Sequence, residues 1–430
     1  MQTAQKKVIR GWAMYDWANS AYNLVITSTI FPAYYTAVAP EQVMVFGRSY
    51  ERTALASYSI AVSFLVIAFL SPILSSIADS RGNKKKFMQF FCYLGSTACV
   101  AMLFFTENNI GFGLLLSILA SIGYCGSIVF YNAYLPEIAA PEDQDKVSAR
   151  GFAMGYIGSV LLLLGCLAFI TANDEMNLGW GAWPTRISFL SVGIWWGGFA
   201  QITFSRLPET VVIKDPSINV WTKGFTELKK VWQQLQFNPA LKRFLRSFFF
   251  YNMGVQTVMY MATYFAADEL KLGTSELIIT ILIIQIVAIF GAYFFSFLSA
   301  KTQNIFTLSV LILVWIGICI FAYYTYSVNQ FYLLALLVGL VMGGIQSLSR
   351  STYSKLLPPT KDTASYFSFY DVCDKVGTVA GTLSFGFLAE FFGGMRNSIL
   401  ALMVYFIAGF ILLKFVRVKR KNTDHAITYN

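Results

Sequence analysis

Charge is scarce in this chain of 430 residues: Asp, Glu, Lys and Arg together make up 13%, against 56% hydrophobic residues, and the mean hydropathy is +0.58. Soluble domains carry about 25% charged residues, so this balance excludes an ordinary soluble fold and assigns the chain to a bilayer. Histidine is nearly absent. The only one, His425, lies in the tail, so a proton relay within the apolar segments has to use carboxylates or tyrosine. The six cysteines (Cys92, Cys99, Cys125, Cys166, Cys319, Cys373) all fall in apolar stretches with no CxxC or Cys/His spacing. They indicate neither a disulfide framework nor a zinc site and read as small packing residues. HExxH, GxSxG and GxxxxGK[ST] are also missing, so hydrolysis and ATP-driven pumping are not expected. No enzyme activity, cofactor or metal follows from these residues.

Long apolar runs are what the chain does have. A hydrocarbon core of about 30 Å needs roughly 20 residues per helix. Twelve stretches meet that need: 11–38, 53–78, 87–106, 110–139, 147–172, 184–205, 241–267, 276–299, 304–325, 330–357, 364–392 and 395–416. The first follows basic residues, but it is too long for a signal peptide and contains Asp16, so it reads as a retained span.

The net charge of +10 is distributed by topology. With the N-terminus in the cytoplasm, all but six of the 32 Lys and Arg fall in cytoplasmic loops and tails; the six are Arg48, Arg52, Arg186, Lys271, Lys375 and Arg396. The positive-inside rule then places both termini in the cytoplasm. Basicity of this kind is not a nucleic-acid footprint.

The hydrophobicity lapses at one long stretch after the sixth span, which divides the chain into an N-terminal bundle (1–206), a cytoplasmic linker (207–240) and a C-terminal bundle with a basic tail (241–430). Within the linker, Trp221, Phe225, Leu228, Trp232 and Leu235 recur at helical spacing, with Lys223, Lys230 and Gln234 opposite. This amphipathic helix suits either the membrane interface or the cytoplasmic end of the bundle. The halves also resemble each other. At an offset of 219, residues 132–160 face 351–379, pairing Tyr134 with Tyr353, Asp143 with Asp362 and Gly158-Ser159-Val160 with Gly377-Thr378-Val379. At the first span of each half, Tyr15-Asp16 corresponds to Tyr251-Asn252. Repeated six-span halves suggest a rocking transporter with its site between them.

"SSIADSRGNKKK" (75–86) resembles the loop between spans 2 and 3 of the major facilitator superfamily, with Asp79, Gly82 and Lys84 matching and Ser75 in place of a glycine. The second half's counterpart, "SFLSAKTQN", lacks the motif. "YDWANSAY" (15–22), "FYNAYLPEIA" (130–139), "GYIGS" (155–159) and "QSLSRSTYSKLLP" (346–358) are similar to the branch holding vacuolar amino-acid exporters of autophagy and their bacterial homologues. The resemblance covers nearly the whole chain. It implies an all-α membrane fold of twelve helices in two pseudo-symmetric bundles, alternating access, and a cavity walled by the first, fourth, seventh and tenth helices. Asp79 stands where a carboxylate can face a helix N-terminus of the other half. Lys84 to Lys86, taken alone, read as a solvated topogenic turn.

Charges inside a span cost about 2.5–3.5 kcal/mol each on insertion scales, so they face protein or water and usually serve function. Here they are Asp16, Glu137, Arg150, Arg350, Asp371, Asp374 and Lys375. At 100° per residue, Asp16, Asn19, Ser20, Asn23 and Thr27 share one stripe of the first helix, facing a cavity or bonding to neighbouring helices. Ser117, Ser121, Tyr124, Tyr131 and Asn132 do likewise on the fourth, Asn252, Gln256 and Tyr260 on the seventh, and Gln346 and Arg350 on the tenth. Asp371, Asp374 and Lys375 share a face of the eleventh. There Lys375 neutralises one aspartate, and the other, partly desolvated, is expected to carry a coupling proton. The alternative is a structural pair.

A cavity holding both a carboxylate and a cation fits a zwitterion, an amino acid or small peptide. A sugar or an organic cation exported as a drug remains open, as does a non-transporting receptor or lipid scramblase. The expected partners are a small-molecule substrate, a proton and the bilayer, with the protein acting as a monomer. A fluorescent protein fused to the C-terminus is expected to be bright and alkaline phosphatase fused there inactive; the opposite pattern would invert the topology.

Overall fold

The computed structural model describes residues 3–45, 47–209, 220–391 and 394–416. Helix α1 (Thr3–Ala21) continues through a π-helical stretch (Tyr22–Ile30) into α2 (Phe31–Val38), and a short antiparallel hairpin follows, β1 (Gln42–Val45) with β2 (Arg48–Glu51). The first half is completed by α3 (Arg52–Arg81), α4 (Lys84–Ala101), α5 (Ile110–Ala133), the single turn α6 (Leu135–Ile138), α7 (Gln144–Glu175) and α8 (Trp183–Arg206). Helix α9 (Val220–Phe237) precedes the second half. That half comprises α10 (Pro239–Glu269), α11 (Thr274–Lys301), α12 (Asn304–Tyr323), α13 (Val328–Leu356), α14 (Thr363–Phe391) and α15 (Met395–Lys414).

With α1 to α2 counted as one, these are twelve spans in two six-helix bundles. In the first, α1 packs on α7 and α8, and α4 on α5 and α8; in the second, α11 packs on α13 and α10 on α14 and α15. The halves meet along two seams, α3 and α5 against α14, and α7 against α11 and α13. Nine helical segments among the described residues are apolar and long enough to cross a membrane. The three spans outside that set are α1 with its π continuation, α10 and α14. These carry Asp16, Asn19 and Asn23; Asn252 and Gln256; and Asp371, Asp374 and Lys375. Polarity of this kind is tolerated on helices that face protein or water.

Local signals set the helix ends. Pro239 opens α10 behind Asn238, whose side chain accepts the Leu241 N–H at 3.1 Å, and Ser327 and Gln330 form a capping box at α13. Helix α3 ends on Gly82 at φ +65°, a left-handed cap that glycine adopts without strain. The polar stripe expected on the first helix needs a correction. From Tyr22 onward the bonding is i→i+5, and Ser28 Oγ and Thr29 Oγ1 donate to carbonyls five residues back at 2.9 and 2.8 Å. This wider turn rotates Asn23 and Thr27 off the arc that regular α-helical spacing assigns them.

Helix α9 packs on α3, α10 and α14. Val231 and Leu235 are buried, Trp232 meets Phe369 with ring centroids 5.7 Å apart, and the Tyr366 hydroxyl donates to Gln234 Oε1 at 3.0 Å. The side chains of Trp221, Lys223 and Phe225 lie outside the described residues. Replacing Gly82 with alanine forces a Cβ into the left-handed region, at about 1–2 kcal/mol. The thermal midpoint in detergent is expected to fall for Gly82→Ala and to fall less for Gly82→Asn, which tolerates that conformation.

Candidate functional site

With twelve spans between them, the start of α1 and the end of α15 lie at one end of the bundle, here the terminal face, and the charged contacts between halves sit toward that end. The deepest centres on Arg350 of α13, which is 3% exposed. Its Nη1 and Nη2 donate to Asp16 Oδ2 of α1 at 3.2 and 3.3 Å, and Nη1 also donates to Asn132 Oδ1 of α5 at 3.3 Å. Nε donates to Ser148 Oγ of α7 at 2.9 Å, and Nη2 to the Ser148 carbonyl at 2.9 Å. The guanidinium lies 4.2, 4.8 and 5.4 Å from the ring centroids of Phe152, Trp12 and Tyr131. The Tyr131 hydroxyl donates to the same Asp16 oxygen at 2.7 Å. One arginine of the second half therefore holds three helices of the first by charge-assisted bonds and cation–π contacts. Gly151 makes this possible, because a Cβ there would collide with Asp16 Oδ2 and Arg350 Nη2. The same seam continues through Ser148 Oγ donating to the Ser347 carbonyl and Tyr156 hydroxyl donating to Gln346 Oε1, both at 2.8 Å.

Nearer the terminal face are two latches. Asp79, at the end of α3, accepts the Ala364 and Ser365 N–H at 3.3 and 2.7 Å and the Ser365 hydroxyl at 2.7 Å, which seats a carboxylate on the N-terminus of α14. Lys84 is not solvated: it is 1% exposed, bonded to Glu137 and to Thr363 Oγ1 at 3.0 Å. Burial follows from its position at the start of α4, pressed between the α5–α6 corner and α14.

The second latch is the first one turned around. By the repeat, Asp79 and Lys84 correspond to Ser299 and Asn304, so the second half's own motif has no charge at either of these positions. The carboxylate comes from the other side. Asp145, at the start of α7, accepts from Ser299 Oγ at 2.5 Å, Asn304 Nδ2 at 2.7 Å and Lys355 Nζ at 2.7 Å. Sequence patterns did not single out Asp145 or Lys355, although the repeat pairs Asp145 with Ala364, whose N–H bonds Asp79 in the first latch.

A further charged group lies away from the terminal face, on α14. Asp374 accepts from Lys375 Nζ at 2.6 Å and, from α10, Asn252 Nδ2 at 2.7 Å and Gln256 Nε2 at 2.9 Å. Lys375 is 3.9 Å from Asp371 Oδ1 and 5.3 Å from the Phe64 ring centroid on α3, across the seam. Of the α1 stripe, Asn19 is buried with Nδ2 unpartnered, Thr27 Oγ1 is unpartnered, and Asn23 is exposed. The structure thus gathers the sequence candidates into two groups: Asp16, Tyr131, Asn132 and Arg350 in one, and Asn252, Gln256, Asp371, Asp374 and Lys375 in the other. Among the described residues no cluster of His, Cys, Asp and Glu has the makings of a metal site.

The family described as vacuole effluxer Atg22-like matches residues 4–426. An uncharacterised MFS-type transporter of Bacillus subtilis, YxiO, is 33% identical over 94% of this chain and 94% of its own. Autophagy-related protein 22 of Eremothecium gossypii is 23% identical, covering 98% of this chain and 93% of that protein. Among solved structures, the major facilitator transporter FucP in its outward conformation superposes with a TM-score of 0.69 at 12% identity, over 97% of this chain and 99% of that one.

Removing either latch carboxylate is expected to loosen the terminal face. With Gln346→Cys as reporter, Asp79→Asn and Asp145→Asn should each raise labelling by an impermeant maleimide from that side several-fold. Unchanged labelling in both would show that the latches do not hold the face shut.

Proposed function

This chain belongs to the Atg22-like family of major facilitator transporters, and on that premise we propose that it moves an amino acid or small peptide by alternating access, coupled to protons. The observation that carries the reading is the acid–base pair Asp374–Lys375, 2.6 Å apart, with the Asn252 and Gln256 amides on the facing helix. A zwitterion matches this pair group for group: its ammonium takes Asp374, its carboxylate takes Lys375, and the amides fix orientation. The pair side chains keep 16% and 11% exposure, whereas the Asp16–Arg350 pair is fully engaged with its own partners. In this conformation the first is the solute candidate and the second a closure. Asn19, with a free amide on α1, supplies a donor from the first half. The proton role falls to the Asp371–Asp374 pair. Both termini are assigned to the cytoplasm by the cation distribution, and the Bacillus relative supports a bacterial cytoplasmic membrane.

The test is flux into proteoliposomes with an imposed pH gradient, using a panel of amino acids, dipeptides and sugars. Amino-acid or dipeptide uptake that Asp374→Asn lowers more than tenfold is the expected result, since the variant removes the carboxylate that takes the solute's ammonium and leaves Lys375 only Asp371, at 3.9 Å. Uptake confined to sugars, or indifferent to Asp374, would refute the zwitterion site.

A further inference from the structure

Two buried polar atoms at the seam of α3 and α14 have no hydrogen-bond partner: Asp371 Oδ2 on α14 and Ser71 Oγ on α3. Their residues are 5% and 2% exposed. Both residues lie between the same two contacts of the seam. Toward the terminal face, Asp79 accepts from the Ser365 N–H at 2.7 Å; toward the far face, Lys375 Nζ stands 5.3 Å from the Phe64 ring centroid. The two helices run antiparallel. Ser71 lies between Phe64 and Asp79 on α3, just as Asp371 lies between Lys375 and Ser365 on α14. Ser71 follows Phe64 by seven residues, about two helical turns, so it occupies the side of α3 that Phe64 turns toward α14. Pro72 comes next and has no N–H for the carbonyl of Ala68, which frees a third oxygen in mid-span.

Charge gives these oxygens a purpose. Asp371, Asp374 and Lys375 sum to one negative charge inside the membrane, a costly surplus. Asp374 is answered by three donors, whereas Asp371 has only Lys375 at 3.9 Å. The titratable groups facing Asp371 are Asp374 and Lys375 on its own helix and Cys125 on α5; α3 has no charged residue between Arg52 and Asp79.

We propose that Asp371 and Ser71, with the Ala68 carbonyl, form a buried site for one monovalent cation, a proton or Na+. The site is divided between the halves. Opening the α3–α14 seam takes Ser71 away from Asp371, so the ion leaves as the terminal face opens, and a filled site favours that face closed. Its role as the coupling site rests on the transport reading; its capacity to bind an ion does not.

The test needs no transported solute. Thermal unfolding of the detergent-purified protein is followed against NaCl, with choline chloride as control, and separately against pH. A cation that binds the folded state raises the midpoint. A response to one of the two ions that Asp371→Asn abolishes, and that Ser71→Ala shifts to about tenfold higher ion concentration, is expected. A response to NaCl identifies Na+ and removes proton coupling while the site stands; a response to acidification identifies the proton. Wild type and both variants responding alike to both ions would overturn the site. Should Asp371→Asn fail to fold, Ser71→Ala and Asp371→Glu carry the same comparison. An intact ion response with no flux for any panel solute would count against the transport reading alone.

Discussion

An arginine in a membrane interior has to find its counter-charge and hydrogen-bond acceptors in the protein, because lipid offers neither. Among the described residues Arg350 finds them across the seam: a carboxylate on α1, an amide on α5, a hydroxyl and a carbonyl on α7, and three aromatic faces. Its own half supplies none of these. The conformation seen here is therefore the one in which the halves are drawn together around this guanidinium. Parting them exposes Arg350 and Asp16 at once, a step tolerable only if water or solute takes over their bonds.

The two latches share that logic at the protein surface. Each seats an aspartate of one half against the other half near the start of a helix, but the acid of one latch is on α3 and that of the other on α7. The pseudo-symmetry is thus a symmetry of position with the charge moved to the opposite partner. Both latches close on the same face, so they act in concert with Arg350 rather than against it.

Much of this was legible in the residues. Apolar length alone marks nine of the spans, the other three being diluted by their polar residues, and the internal repeat marks the paired loops between the fourth and fifth spans of each half. What escaped has physical causes. The π turn after Ala21 arises from backbone bonding with no residue signature, so helical arithmetic misplaces Asn23 and Thr27. Lys84 looks solvated beside Lys85 and Lys86 because its burial depends on α14, nearly 280 residues away. Asp145 is invisible as a latch because its partners, Ser299, Asn304 and Lys355, are ordinary loop-end residues until the halves meet. The spacing of Asp371, Asp374 and Lys375 shows that they share a face, but which aspartate is satisfied depends on Asn252 and Gln256 of α10.

The π-helical stretch in the first span carries a mechanical implication. A widened helix stores chain: the same residues occupy less axial length, and returning to ordinary winding would lengthen the segment and turn everything on one side of it relative to the other. Asp16 and Trp12 lie before the stretch, the one bonded to Arg350 and the other stacked against it, while Tyr34 after it is tied by its hydroxyl to the Phe105 carbonyl. A span clamped at both ends with chain wound into its middle passes any rewinding on to both clamps as a push and a twist, which makes α1 a screw rather than a rod.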